Sequence, residues 1–110
     1  MAGDIDQSWF GYDVESAGDV NGDGFDDVLV SAAIRSQNLD QRGRVYLYLG
    51  SAGGPATTEA WFVEGEQSYT NLARALASGD VNGDGLSDAL LGNPDFNSAT
   101  GRALLYFGLP

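Results

Sequence analysis

The sequence of 110 residues contains no cysteine, no histidine and no lysine. Without cysteine, the chain has no disulfide, no zinc–thiolate site and no thiol nucleophile. Without histidine, it lacks a Ser-His-Asp arrangement, the usual general base and the commonest transition-metal ligand. Sixteen acidic residues stand against five arginines, which gives a formal net charge of −11. This balance disfavours nucleic acid and anionic membranes as partners, because binding to either needs basic patches.

Long apolar segments are also missing. No apolar run is long enough to cross a membrane, and the start, Met1-Ala-Gly-Asp-Ile-Asp6, has neither the basic nor the apolar region of a signal peptide. Sixteen glycines favour short strands and tight turns over helices. Hydrophobic residues still make up 43% of the chain, enough for a core. We therefore expect one all-β domain, or a piece of one.

A nine-residue segment occurs twice, as Asp19-Val-Asn-Gly-Asp-Gly-Phe-Asp-Asp27 (the first loop) and Asp80-Val-Asn-Gly-Asp-Gly-Leu-Ser-Asp88 (the second loop). Oxygen-bearing side chains recur at positions one, three, five and nine, with glycine at position six. Ca²⁺ takes about 6–8 oxygen ligands, and side chains at alternate positions of a tight loop can converge on it. Each loop is thus predicted to bind one Ca²⁺. The predicted ligands are Asp19, Asn21, Asp23, Asp27 and the Phe25 carbonyl in the first loop, and Asp80, Asn82, Asp84, Asp88 and the Leu86 carbonyl in the second.

Two other interpretations of the loops explain less. Asn-Gly between apolar runs is a strong hairpin signal, but a bare turn does not explain acidic residues at positions one, five and nine of both copies. Like charges in one tight loop repel each other unless a cation is present. An EF-hand needs an acidic residue at position twelve and a helix afterwards. Here position twelve is Val30 or Leu91, and each loop leads into a strand pattern.

Around each loop the same succession of strand patterns appears, so the chain reads A-B-C-D-A-B-C. The predicted strands are Trp9–Gly18, Asp27–Ile34, Gly43–Gly50 and Thr57–Glu64, then Leu72–Ser78, Asp88–Gly92 and Gly101–Gly108. The loops start 61 residues apart (19 against 80) and the Gly-Arg strands 58 apart (43 against 101), so the connection between strands B and C is shorter in the second unit. Four-stranded units at a long fixed period predict propeller blades. We assign a first blade to residues 1–66 and a second, lacking its fourth strand, to residues 67–110.

These residues resemble the FG-GAP repeat, the blade of the integrin α-subunit β-propeller and of many bacterial secreted proteins. The matching segments are Phe10-Gly11, Gly18–Gly24, Asp27–Ala32, Gly43–Gly50, and Trp61 followed by Glu64-Gly65-Glu66-Gln67. The sequence departs from the pattern where the Gly-Ala-Pro segment becomes Ser31-Ala32-Ala33 or Gly92-Asn93-Pro94. It also departs where Phe-Gly becomes Leu72-Ala73.

The resemblance implies antiparallel four-stranded blades of a seven-bladed propeller, with structural calcium loops on one face and an extracellular or cell-surface location. This chain holds about two blades, and blades bury their faces against neighbours. We therefore expect a homo-oligomer, formed through blade faces, open strand edges or strand exchange, or a fragment of a longer propeller. An extracellular protein or glycan is a possible further ligand.

Two other classes of function compete with a structural calcium module. The loops 35–42 and 95–100 are polar and suit adhesion or ligand binding, although polar loops usually only connect strands. Hydrolysis by paired carboxylates is the other, but the acids outside the calcium loops show no pairing pattern: Asp40, Glu59, Glu64, Glu66 and Asp95. The sequence thus predicts a non-catalytic protein. Its aromatic residues are expected to pack within and between blades rather than to stack on sugars.

Overall fold

The computed structural model describes residues 10–32, 42–67, 72 and 74–109. Within these ranges it contains seven strands and one short helix in this order: β1 Phe10–Gly18, β2 Asp27–Ala32, β3 Arg44–Tyr48, β4 Trp61–Glu64, β5 Ala75–Gly79, β6 Asp88–Asn93, α1 Phe96–Ala99 and β7 Arg102–Tyr106. No helix in the described part of the chain is long and apolar enough to span a bilayer. The predicted order A-B-C-D-A-B-C is confirmed.

The first sheet is a four-stranded antiparallel meander of order β1-β2-β3-β4. Its strands are rich in β-branched and aromatic residues, which suit a pleated, half-buried surface. Side chains alternate between the two faces, as the sequence predicts for the third strand. Val45 and Leu47 turn towards the second sheet. Tyr46 and Tyr48 lie on the outer face, where they form a separate cluster with Val30 and Phe10.

The second sheet repeats this meander with three strands, of order β5-β6-β7. Its pairing matches the first sheet at the loop end: Gly79 faces Asp88, as Gly18 faces Asp27. On the other side, β7 forms the edge of the second sheet, whereas β3 of the first sheet pairs with β4. The sequence prediction of two antiparallel units of four and three strands is therefore confirmed. The division at residue 66 stays a prediction.

The main hydrophobic core lies between the two sheets. Its buried members are Ala17, Leu29 and Val45 from the first sheet, Leu76, Ala89 and Leu91 from the second, and Leu72, which precedes β5. The Trp61 and Tyr106 rings cross this interface edge to face at 5.0 Å, a favoured geometry for aromatic pairs. Near β1 and β5, the Leu76 N–H donates to Asp13 Oδ2 at 3.1 Å, and the Ser78 hydroxyl donates to the Ser16 carbonyl at 2.6 Å. The sheets thus stack as neighbouring layers of one body.

Several predicted boundaries shift in the structure; β3 and β7, for example, are each shorter at both ends than predicted. β4 starts at Trp61 rather than Thr57. Before Trp61 the chain meets the end of β3 through separate hydrogen bonds rather than a ladder: the Ala56 N–H donates to the Leu49 carbonyl at 2.9 Å and the Ala60 N–H to the Leu47 carbonyl at 2.8 Å. β5 starts at Ala75 rather than Leu72. Leu72 is instead fully buried, and its N–H donates to the Arg42 carbonyl at 2.8 Å. The polar loop 95–100 contains the helical turn α1.

Candidate functional site: the paired aspartate loops

Each acidic loop connects the first two strands of its sheet and folds around its first aspartate. In the first loop, the Asp19 carboxylate accepts from the N–H groups of Gly22, Asp23 and Gly24 at 2.8, 3.2 and 2.8 Å. Gly22 and Gly24 have φ of +78° and +87°, a region that glycine enters without steric cost. These glycines let consecutive N–H groups point inward at one carboxylate.

The second loop reproduces this arrangement atom for atom. Asp80 accepts from Gly83, Asp84 and Gly85 at 2.9, 3.2 and 2.8 Å. In both loops the third position accepts from the fifth: Asn21 Oδ1 from Asp23 and Asn82 Oδ1 from Asp84, each at 3.4 Å. The same sequence therefore yields the same local structure in two different surroundings.

The amide donors change the acidity of the first aspartate in each loop. The hydrogen bond from Gly24, with those from the neighbouring amides, lowers the pKa of Asp19 below its ordinary value. The bond from Gly85 has the leading effect in lowering the pKa of Asp80. Hydrogen bonds to the ionised form favour that form. Both carboxylates thus stay ionised to a lower pH than an ordinary aspartate.

The aspartate at position nine has a structural role that the sequence analysis did not predict. Asp27 is fully buried, and its two oxygens accept from the Val20 N–H at 2.9 Å and the Gly50 N–H at 2.8 Å. It therefore ties the loop before β2 to the residues that follow β3. We call this arrangement the aspartate clamp.

Asp88 forms the same clamp in the second sheet. It is also buried, and it accepts from Val81 at 2.9 Å and from Gly108 at 2.8 Å. A glycine is needed after the third strand, because a Cβ at Gly50 would collide with the Asp26 carbonyl, and one at Gly108 with the Ser87 carbonyl. The glycine that ends each third strand was visible in the sequence, but its bond to a residue 20 or 23 positions away needs the fold.

The donor set of each loop fits a hard cation by its chemistry. Three carboxylates, one amide oxygen and one backbone carbonyl are all oxygen ligands of the kind that Ca²⁺ prefers. A carboxylate offers about four acceptor positions, of which Asp19 uses three and Asp27 two for backbone N–H groups. Such bonds can orient a metal ligand from behind. Capacity for a cation therefore remains on these side chains.

The conformation does not itself assemble a metal cage. Within the described ranges, no group of three or more acidic, histidine or cysteine side chains is arranged to hold a metal ion. Asp19 and Asp23 instead accept from amides of their own loop, Asp23 Oδ1 from Phe25 at 3.0 Å, while Asp27 turns into the core. Phe25 and Leu86, the predicted carbonyl ligands, lie at the same position of each loop. The calcium sites stay a prediction, supported by donor chemistry and repetition.

The acids outside the loops are engaged one by one. Glu64 pairs with Arg44 at 3.0 Å, Glu66 with Arg102 at 3.3 Å and Asp95 with Arg74 at 3.2 Å. Glu59 is exposed, and Asp40 lies outside the described residues. Each of these three paired carboxylates thus contacts a different arginine.

The loop 95–100, proposed as a ligand-binding alternative, makes contacts within the chain. Besides the Asp95–Arg74 pair, the Asn97 N–H donates to Gln67 Oε1 at 2.8 Å. Asn97 and Ser98 both have positive φ, 56° and 58°, which is uncommon for residues other than glycine. Of the other loop, 35–42, only Arg42 lies within the described residues, so ligand binding there stays a prediction.

The aromatic residues pack largely as expected. Phe10, Tyr46, Tyr48 and Phe62 form a chain of ring contacts on the outer face of the first sheet. Phe107 differs: it is 55% exposed. It follows β7 and borders the groove between the two sheets. Trp9 lies outside the described residues.

Stacked antiparallel sheets, each with an aspartate-rich loop between its first two strands and a clamp to its third, define a β-blade repeat protein. The family model for the FG-GAP-like repeat matches residues 19–91. The chain belongs to this family, as its loop and strand motifs predicted.

Curated relatives place it among integrin-like repeats. It is 37% identical to integrin alpha-PS2 of Drosophila melanogaster over 108 residues, 89% of this chain and 7% of the relative. With integrin alpha-IIb of Mus musculus it shares 37% identity over 109 residues, 92% of this chain and 10% of the relative. A phosphatidylinositol-glycan-specific phospholipase D of Homo sapiens is 37% identical over 78 residues, 69% of this chain and 9% of the relative. The chain thus spans about a tenth or less of the length of these relatives.

Proposed function

We propose that this chain is a calcium-binding, non-catalytic structural and interaction module of the integrin-like β-propeller type, with one Ca²⁺ in each aspartate loop. The observation that carries the proposal is the repetition of the loop: the same oxygen donors, the same positive-φ glycines and the same hydrogen bonds occur in both sheets. The loop amides lower the pKa of both first-position aspartates and so stabilise their ionised form. A bound cation would neutralise the clustered carboxylates and stabilise the fold by mass action.

Thermal unfolding with Ca²⁺ and with chelator tests the calcium part. A site filled to about 100 times its dissociation constant adds about 2.7 kcal/mol to the free energy of unfolding, so the melting temperature of the unaltered chain should rise with Ca²⁺. Asp23→Ala and Asp84→Ala each remove a carboxylate from one of the two sites. Each variant should therefore show about half of the calcium-dependent rise in melting temperature of the unaltered chain.

The matched control is Asp26→Ser, which removes a charge from the first loop at the position where the second loop carries Ser87. Asp26 is exposed, so this variant should keep the full calcium increment. If all four proteins respond alike to Ca²⁺ and chelator, the calcium part of the proposal is wrong.

We further propose that the outer face of the second sheet packs against a second copy of the chain. Its exposed apolar residues are Leu90 and Leu105, 41% and 42% exposed, with Val81 in the adjoining loop, 60% exposed. Their counterparts in the first unit, Leu29, Leu47 and Val20, line the groove of about 420 Å³ between the sheets. The positions that contact the neighbouring sheet in the first unit are thus exposed in the second. This is expected of a repeat array in which a further sheet packs on the second one.

Light scattering with Ca²⁺ and with chelator tests this assembly. A discrete oligomer is expected, and Leu105→Asp should shift it to monomer, because a charge cannot be buried unpaired at the interface. Thr57→Asp adds the same charge in an exposed turn and should leave the oligomer unchanged. A monomer under all conditions would contradict assembly and leave the calcium proposal standing.

The integrin relatives support an extracellular or cell-surface setting for the module, with a protein or glycan as a possible ligand. Peptides of the chain labelled by a membrane-impermeant reagent on intact source cells would support this setting. Labelling only after lysis would contradict it.

A further inference from the structure

The two aspartate loops touch each other directly. The Ser87 N–H, next to Asp88 in the second loop, donates to the Asp19 carbonyl of the first loop at 2.9 Å. Asp19 is position one of its loop, and Asp88 is position nine of the other. One backbone hydrogen bond therefore joins a predicted ligand residue of one site to the neighbour of a predicted ligand in the other.

Close packing surrounds this bond. Gly18 has a φ of +64°, and a Cβ on it would collide with the Ser87 side chain. A Cβ on Gly22 would lie 3.1 Å from Leu86 Cδ2, and one on Gly108 would lie 2.6 Å from the Val20 carbonyl oxygen. Gly18 and Gly22 thus lie against the second loop, and Gly108, at the end of β7, lies against Val20 of the first, so a shift of one loop is expected to press on the other.

The clamps extend the connection into both sheets. Asp27 holds Val20, the residue after Asp19, while Asp88 holds Gly108, which packs on both Val20 and Ser87. A shift of Asp19 is therefore passed to Asp88 through Ser87 on one side and through Val20 and Gly108 on the other. These contacts form one continuous network of hydrogen bonds and packed backbone.

We infer that the two loops bind Ca²⁺ as a coupled pair, in which filling one site raises the affinity of the other; this inference rests on the proposed calcium function. A cation in the first loop fixes Asp19 and its carbonyl. That carbonyl fixes Ser87 and with it the backbone of Asp88, so the second loop loses less conformational freedom when its own cation binds. By thermodynamic linkage the effect is reciprocal and of equal size in both directions.

Calcium titration followed by NMR tests the coupling, with the amides of Gly24 and Gly85 reporting separately on the two loops. In Asp23→Ala, which disables the first site, the dissociation constant of the second site should rise about fivefold or more. In Asp84→Ala the first site should weaken by the same factor. In the unaltered chain the two amides should titrate together, with a Hill coefficient above 1.

A second pair of variants tests the contact itself without removing a ligand. Gly18→Ala forces a methyl group against Ser87 and should abolish the cooperativity while both sites still bind. Gly11→Ala is the matched control, because Gly11 also lies in β1 with a positive φ of +87° but a Cβ there meets nothing within 4 Å. It also places an alanine at a positive φ and should keep the cooperativity.

The outcomes separate the coupling from the calcium proposal. If Asp23→Ala leaves the affinity of the second loop unchanged, the sites are independent: the coupling is overturned and the calcium function stands. Gly18→Ala with unaltered cooperativity also overturns the coupling. If neither amide of the unaltered chain responds to Ca²⁺, both proposals are overturned.

Discussion

The two sheets carry the same residues at corresponding positions but place them in different surroundings. Leu29 in the first sheet is 0% exposed, whereas its counterpart Leu90 in the second is 41% exposed. Likewise, Leu47 is half-buried, whereas its counterpart Leu105 is exposed. The loops, in contrast, keep the same hydrogen bonds in both units. The repeated sequence thus determines the local structure of each unit, whereas the presence or absence of a neighbouring sheet determines which of its residues are buried.

The aspartate clamps and the buried apolar faces therefore depend on different contacts, the first within one sheet and the second between sheets. A clamp uses only groups within one sheet, so it forms in each unit independently. An apolar face becomes a core only where a second layer covers it. Comparing counterpart variants in the two sheets can separate these contributions.

The largest difference is expected between Leu29→Ala and Leu90→Ala. The first leaves a cavity between the sheets and should cost about 3 kcal/mol of the free energy of unfolding, within the usual range of about 2–5 for buried leucines. The second trims an exposed side chain and should cost less than about 1 kcal/mol in the monomer. Denaturant unfolding at low protein concentration measures both. Equal costs would mean that Leu90 is covered in solution.

Substitution of the clamp aspartate should lower the free energy of unfolding by the same amount in the two sheets. Asp27→Asn and Asp88→Asn each place an NH₂ group where a buried carboxylate oxygen accepts from backbone, and each should cost about 2–3 kcal/mol. Measured in chelator, this loss is independent of any metal. Asp26→Asn, an exposed change in the same loop, should stay within about 0.5 kcal/mol. A silent Asp27→Asn in chelator would contradict the structural role of the clamp.

A smaller difference in the free energy of unfolding is expected between variants of two of the arginine–carboxylate pairs. Arg44 and Glu64 have side chains 7% and 23% exposed, whereas Arg102 and Glu66 are 25% and 72% exposed. Arg44 also lies 4.1 Å over the Phe62 ring. Glu64→Gln should therefore cost about 1 kcal/mol, and Glu66→Gln no more than about 0.5 kcal/mol, because exposed pairs are screened. Unfolding in low and high salt measures both; a larger loss for Glu66→Gln would reverse the interpretation.

Sequence reasoning reached the fold because the signals are local and repeated. Alternation in Val45–Tyr48 and the glycines that bound the strand determine a strand with two distinct faces. The repeat then determines the order of strands. Leu72 shows the limit: its alignment with the first strand of the first unit predicted a strand, but Leu72 is a core residue that lies before β5. The turn α1 was equally invisible, because Asn97 and Ser98 adopt positive φ without a glycine.

At the site, the sequence identified the loop residues but not all of their roles. Spacing singles out Asp19 and Asp27 alike, since both are aspartates at expected ligand positions. Only the structure separates them: Asp19 organises its own loop, while Asp27 is buried and reaches Gly50 across the sheet. The contact between the loops at Ser87 is likewise absent from the pattern, because it joins residues 68 positions apart (19 against 87).

The unequal connection between strands B and C has a consequence for protein engineering. The aspartate loop, the clamp and the contact at Ser87 all lie at one end of the sheets, and each depends on fixed spacing. The three-residue difference between the units falls at the opposite end, before Arg44 and Arg102. The two units thus differ in chain length at that end, while their aspartate loops keep the same structure. We therefore expect a peptide epitope or a fluorescent label grafted between strands B and C of the first unit to leave both loops unchanged.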